Sequence, residues 1–177
     1  MVEIVLAGSL VHGDSQGNTG IVHRGLAQRM SAGSGIVHAE RNDAFRLDPE
    51  APVEPVHFVQ MWVRPDEPGG PPSYQQRPLD VGDLARHWLP VVSGHAPDAV
   101  INLASRDSTL WVTTLGPGES RRLPAAARLH VYLAGGVVEV ESVGVLEAGD
   151  ALRLVGEAPL SVTGIADAEL LAWELAA

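Results

Sequence analysis

His38 and Glu40 stand two residues apart, directly after the glycine-rich run Gly33-Ser34-Gly35 and the apolar pair Ile36-Val37. On a strand, positions i and i+2 point to the same face, so Ile36, His38 and Glu40 would line one side and present an imidazole and a carboxylate together. Imidazole nitrogen and carboxylate oxygen are donors that first-row transition metals take in proteins, which makes the pair half of a metal site. His-x-Glu also reads as a polar strand end making ordinary hydrogen bonds, and spacing by itself leaves both readings open. The chain has no cysteine. Thiolate ligation, a cysteine nucleophile and a disulfide framework are therefore excluded, and any metal must sit on histidine and carboxylate donors.

The remaining histidines, His12, His23, His57, His87, His95 and His130, are scattered and read as solvated or hydrogen-bonded imidazoles. His12 closes a strand just before a turn, with Asp14 two residues on. Alternation also suggests a pocket wall: Gln28 and Met30 share one strand face, and Phe58, Gln60 and Trp62 share another. Turned inward, such faces form a cleft that is mostly apolar with a few polar anchors. Gln28 and Gln60 are the substrate-binding candidates, whereas Met30, Phe58 and Trp62 read as barrel core.

The elements that would hold these residues are short strands. Apolar runs at 5–11, 26–30, 36–40 and 56–63 alternate with turn-forming clusters such as Gly13-Asp14-Ser15-Gln16-Gly17-Asn18. The run Arg64-Pro65-Asp66-Glu67-Pro68-Gly69-Gly70-Pro71-Pro72 interrupts the pattern, because proline removes ladder donors. It marks a boundary, with residues 65–83 as a connecting segment. Strands resume at 110–115, 129–133, 137–143, 151–155 and 160–163, and the tail at 169–175 is assigned to a strand although its composition also suits a helix. A small barrel takes about eight strands and ~80 to 100 residues. Residues 84–177 suffice for one; residues 1–64 do not, so an incomplete first barrel is expected.

The composition sets outer bounds. The chain has 177 residues, 45% hydrophobic, with 12 basic residues, all arginine, against 22 acidic ones. It is too hydrophobic to be disordered. Its formal net charge of −10 argues against direct binding to nucleic acid, which needs a cationic surface to displace phosphate counterions. The first residues lack a signal-peptide pattern and no stretch is apolar for long enough to span a bilayer, so a cytoplasmic protein with no membrane partner is expected.

The run Gly25-Leu26-Ala27-Gln28-Arg29-Met30-Ser31-Ala32-Gly33-Ser34-Gly35-Ile36-Val37-His38-Ala39-Glu40 closely resembles the pirin family. So do His12-Gly13-Asp14-Ser15-Gln16-Gly17-Asn18 before it, and Val59-Gln60-Met61-Trp62-Val63 with Ser73-Tyr74-Gln75-Gln76 after it, in the family's order and spacing over residues 3–77. The second half fits the family's C-terminal barrel more weakly. The resemblance implies an all-β bicupin of two cupin barrels, with one divalent metal, typically iron, in the first. It also implies that His38 and Glu40 are ligands, and that Glu40 can take the 3-hydroxyl proton of a flavonol substrate. Several members cleave quercetin with dioxygen; others act as transcriptional co-regulators or bind metabolic enzymes.

The family's ligand set includes a His-Pro-His segment before the strand that Glu3-Ile4-Val5 resembles, and this sequence contains no such segment. Residues 1–64 are thus expected to form an incomplete N-terminal cupin barrel with a partial metal site, and residues 84–177 a C-terminal cupin-like barrel. Gly116-Pro117-Gly118-Glu119 and Glu147-Ala148-Gly149-Asp150 resemble turns that flank cupin ligand strands, but the strands carry no His-x-His pair, so no second metal site is expected. Two ligands from one strand would hold a metal weakly, which predicts a quercetin 2,3-dioxygenase-like protein with little or no turnover. The alternative is a non-enzymatic protein-binding or co-regulator module, in which an open sheet edge pairs with a partner or a second copy.

Overall fold

A computed structural model describes residues 1–50, 52–156 and 158–175, and the chain divides into two compact units, Met1–Leu79 and Asp80–Ala177. In the first, β1 (Val2–Ala7), β4 (Leu26–Ser31), β6 (His57–Met61) and β7 (Ser73–Pro78) form one sheet in the order β6-β1-β4-β7. The strands β2 (Ser9–Asp14), β3 (Thr19–His23) and β5 (His38–Arg41) form another, in the order β3-β2-β5. The single strand expected at 5–11 is therefore two strands in two sheets. Gly8 makes the break: its φ is +71°, and a Cβ there would lie 2.5 Å from the Pro55 carbonyl oxygen, so a residue without a side chain is required.

Period-two alternation sets the interior of this unit. Val5, Leu10 and Val22 are buried together, with Leu26, Val56 and Phe58 packed against them. Two residues along the same faces, Glu3 follows from Val5, His12 from Leu10, Gln28 from Leu26 and Gln60 from Phe58. An apolar level and a polar level thus share the same inward faces. Glu3, His12 and Gln28 have no solvent exposure.

Two expectations about the elements change. The strand predicted at 36–40 starts only at His38, so Ile36 precedes it. Residues 65–83, expected as a connection, contain β7, which pairs along β4 from Leu26↔Pro78 to Ser31↔Ser73 and so belongs to the first unit. The prolines that suggested a linker are compatible with this placement: Pro71 and Pro72 precede the strand, and Pro78 closes an edge strand, where a missing donor costs no ladder bond. Gly33 locks this stretch to the turn before β5. Its φ is +56°, a Cβ would stand 2.1 Å from the Gly70 carbonyl oxygen, and the neighbouring Ser34 amide donates to that oxygen at 2.7 Å.

The second unit starts with the short helix α1 (Val81–Arg86), whose N-cap Asp80 accepts from the Asp83 amide. Its larger sheet has the order β15-β12-β17-β10-β8-β9 and contains β8 (Leu89–Ser93), β9 (Ile101–Asn102), β10 (Ser108–Leu115), β12 (Arg128–Gly135), β15 (Ala151–Val155) and β17 (Ala168–Leu175). The smaller one has the order β11-β16-β13-β14 and contains β11 (Ser120–Arg122), β13 (Val137–Val140), β14 (Gly144–Glu147) and β16 (Ser161–Gly164). Leu129, Val131, Leu133, Val138, Val140, Val162 and Leu170 share one core. The predicted run at 137–143 ends at Val140, where a turn leads into β14. The tail is the strand β17, paired with β10 on one side and β12 on the other. Two ladders and a buried face outweigh its helix-forming composition.

Candidate metal centre

Strand pairing brings the first unit's chemistry together. In the three-stranded sheet, β2 and β5 run antiparallel with His12 opposite Glu40 and Asp14 opposite His38. One donor atom from each of His12, His38 and Glu40 lies within 4.8 Å of the others, and among the described residues this is the one such group of three or more. His12 Nδ1 stands 3.3 Å from Glu40 Oε1, and His38 Nδ1 stands 3.9 Å from the same oxygen. The two rings are roughly parallel, with centroids 5.9 Å apart.

The facing sheet supplies a row of polar side chains at one register level, because Glu3 pairs with Gln60 on one side and Gln28 on the other, and Gln28 pairs with Gln76. The Gln28 side-chain amide donates to Glu3 and, at 3.0 Å, to Glu40 Oε1. The Gln60 amide donates to Glu3 Oε1 at 2.6 Å and to Glu40 Oε2 at 3.0 Å. The Tyr74 hydroxyl donates to Gln28 Oε1 at 2.7 Å, and its ring stacks on His12 with centroids 4.6 Å apart. Two carboxyl groups are thus bridged by two amides and enclosed by an aromatic ring.

Electrostatics follow from this enclosure. Burial first, and then the facing Glu40 carboxyl, push the Glu3 pKa up to about 7, against the opposing pull of the Gln60 and Gln28 amides. Burial, reinforced by the negative charges of Glu3, Asp14 and Glu40, raises the Tyr74 phenol to about 12, so it stays a donor. Burial alone would raise Asp14, but hydrogen bonds from Asn18, Gln16 and His12 outweigh it and hold this carboxyl below its ordinary value. The cluster is rich in acceptors and poor in cations, an arrangement suited to a bound positive charge.

Whether a metal ion fits is tested by the orphaned donor. His38 Nδ1 is buried and has no hydrogen-bond partner, although buried polar side-chain atoms are nearly always satisfied. A buried ring nitrogen left without a partner 3.9 Å from a carboxylate oxygen is a place that an incoming metal ion would engage, and the donor types are those of a first-row transition metal. The residues fit the group.

Gln28 and Gln60, read from sequence as pocket anchors, both reach Glu40. Met30 is buried and Phe58 is half-buried against the apolar core. Trp62, expected in that core, is 75% exposed; it lies past the end of β6 and donates to Gln60 Oε1 at 2.9 Å. Alternation carried past the strand end does not apply there. Sequence reasoning missed Glu3 and Tyr74 and set His12 aside. A charged residue inside the apolar run Val2-Glu3-Ile4-Val5-Leu6, on the same face as Val5, was the available signal for Glu3. For His12 the decisive fact is its cross-strand partner, which spacing along the chain does not contain. His23 and His95 instead bond backbone carbonyls, those of Arg24 and Arg106.

Two barrel-forming units of short strands, with a histidine and carboxylate cluster between the inner faces of the first, define a bicupin with a candidate metal centre. A family model described as Pirin matches residues 1–63, and one described as the quercetinase C-terminal cupin domain matches residues 90–175. A Mycobacterium tuberculosis protein named as a candidate quercetin 2,3-dioxygenase is 42% identical over 177 residues, 99% of this chain and 69% of its own length. The quercetin 2,3-dioxygenase of Escherichia coli K12 is 30% identical over 173 residues, 97% of this chain and 70% of its own. The crystal structure of the bacterial pirin YhhW of Escherichia coli in complex with nickel(II) superposes with a TM-score of 0.82 at 29% identity, covering 99% of this chain and 71% of that one. The chain belongs to the pirin family.

Proposed function

We propose that this chain is a metal-dependent cupin oxygenase acting on a flavonol-like substrate, of the quercetin 2,3-dioxygenase type. The observation that carries this reading is the convergence of His38 and Glu40 with the two amides of Gln28 and Gln60 at one point that is closed on the Gln28 side and open on the Gln60 side. The names of the Mycobacterium and Escherichia coli relatives, and the nickel(II) complex of YhhW, support it. His38 and Glu40 would hold the ion, with iron as the physiological metal. A divalent ion there supplies Lewis acidity toward the substrate's 3-oxygen and access to dioxygen chemistry.

The chain's own residues would do the rest. Glu40, within hydrogen-bond reach of two amides that steady both its oxygens, is the base that takes the 3-hydroxyl proton. Gln60 is exposed at the rim, so its amide can turn from Glu40 to a substrate hydroxyl or carbonyl. Gln28, buried and fixed by Tyr74, holds Glu40 in place and closes the site on its inner side. The test is incubation of the purified protein with iron(II) or nickel(II) and quercetin under oxygen, following the flavonol absorbance band and oxygen uptake. Metal-dependent loss of quercetin, abolished in Glu40→Gln and His38→Ala, is the expected result. Quercetin that survives with a fully metal-loaded protein overturns the oxygenase reading and favours a pirin-like binding module.

A further inference from the structure

We infer that Trp62 is the specificity residue of the open rim: its indole N–H fixes which end of the Gln60 amide faces the site, and its exposed ring is the platform on which a planar aromatic substrate, with a carbonyl oxygen beside its reacting hydroxyl, stacks. The inference rests on the proposed function above and deepens it, from the groups that act on the substrate to the side chain that selects it.

The first support is the polarity of a hydrogen-bonded chain. The Trp62 indole nitrogen donates to Gln60 Oε1 at 2.9 Å. An indole N–H can only donate, so the oxygen end of the Gln60 amide must face Trp62 and the nitrogen end must face inward. That nitrogen donates to Glu3 Oε1 at 2.6 Å and to Glu40 Oε2 at 3.0 Å. The orientation holds whichever protonation state the two carboxyl groups take, because the donor-only indole sets it. With its oxygen occupied, Gln60 offers a ligand its N–H groups and nothing else. The ligand atom that meets Gln60 is therefore an acceptor. In a flavonol-like molecule that atom is the carbonyl oxygen next to the hydroxyl that Glu40 deprotonates.

The second support is exposure. The inner side of the site is closed by Gln28, which has no exposure, and by the Tyr74 hydroxyl that bonds it. The outer side is open: Gln60 is exposed, and the side chains of His38 and Glu40 are 23% and 9% exposed. Trp62 stands at this opening, just past the end of the edge strand β6, with 75% of its surface in solvent. Single exposed apolar residues are common on protein surfaces. This one differs because its polar edge is bound to a side chain that also bonds Glu40, which carries the ring to the mouth of the site. One amide and two hydrogen bonds separate the indole from Glu40, a span that a planar ring system bridges. A ring laid over the indole takes apolar surface out of water and gains the attraction of offset stacking.

The experiment measures binding rather than turnover. Quercetin and catechin carry the same hydroxyl groups, but catechin lacks the carbonyl and the flat central ring. Each is titrated by calorimetry into zinc(II)-loaded wild type, Trp62→Phe and Trp62→Leu. Trp62→Leu is expected to weaken quercetin binding about 10-fold and Trp62→Phe, which keeps a ring but no N–H, about 3-fold, with catechin binding unchanged in both. The Trp62 indole N–H resonance of wild type, identified by its loss in Trp62→Phe, is expected to shift when quercetin is added. Unchanged quercetin affinity in Trp62→Leu, or an indole resonance that does not move, overturns this inference and leaves the proposed function standing. Equal losses for quercetin and catechin, the mark of a merely structural role, do the same. Wild-type protein that takes up no zinc(II), or takes it up and binds no quercetin, overturns the proposed function and this inference with it. Circular dichroism checks that each variant is folded, and the wild-type resonance decides the matter even if Trp62→Leu is not.

Discussion

Glu3 is a carboxyl group with no solvent exposure, two amide donors and a second carboxyl facing it. Its pKa rises from 4.5 to about 7, burial being the larger cause and Glu40 the next. A carboxyl raised on folding stabilises the folded state through its neutral form. That contribution is fully present below about 4.5 and is lost as the pH climbs through about 7, because the unfolded chain gives up its proton first. In metal-free protein, Glu3→Gln keeps the shape and removes the buried charge. Its melting temperature should exceed that of the wild type at pH 8, with the difference shrinking toward pH 5. A difference that does not vary with pH would show that Glu3 is not ionising across this range. The residue types of this site were visible in the sequence, but His38 and Glu40 were the only ones whose partnership could be read there, because both sit on one strand.

At the scale of elements, the turn before β5 decides where His38 and Glu40 point. Gly33 has φ +56° and sits against the Gly70 carbonyl, so Gly33→Ala forces both a left-handed alanine and a displacement of the 70–72 backbone. The expected cost is about 2 kcal/mol by urea denaturation, with weaker metal binding in the same variant. Stability within a few tenths of a kcal/mol of wild type would show that the turn is not anchored this way. Strand existence was legible wherever apolar alternation ran between turn clusters, as at 26–30 and 129–133. Three assignments went astray where something other than alternation governs. Gly8 divides a continuous apolar run, β7 is built from Tyr74-Gln75-Gln76-Arg77 with little apolar signal, and Trp62 falls beyond its strand.

At the scale of the molecule, two units each carry their own apolar cluster, and the cluster of His12, His38 and Glu40 belongs to Met1–Leu79. An ion that binds only the folded first unit stabilises it by mass action, about 2.7 kcal/mol at a hundred times the dissociation constant. Hydrogen exchange followed by mass spectrometry should therefore show slowed exchange on adding nickel(II) in peptides covering β1, β2, β4 and β5, with peptides from residues 90–175 unchanged. Equal protection in both halves would place the ion elsewhere. The sequence by itself determined the β class, the cysteine-free donor set and the His38–Glu40 pair. Each of these follows from composition or from period-two spacing within one strand. Only the tertiary structure decided that His12 stands opposite Glu40, that Glu3 lies between Gln28 and Gln60, and that Tyr74 closes over them. Those contacts depend on strand register and on how two sheets face each other, and register is a relation between distant segments that no local pattern encodes.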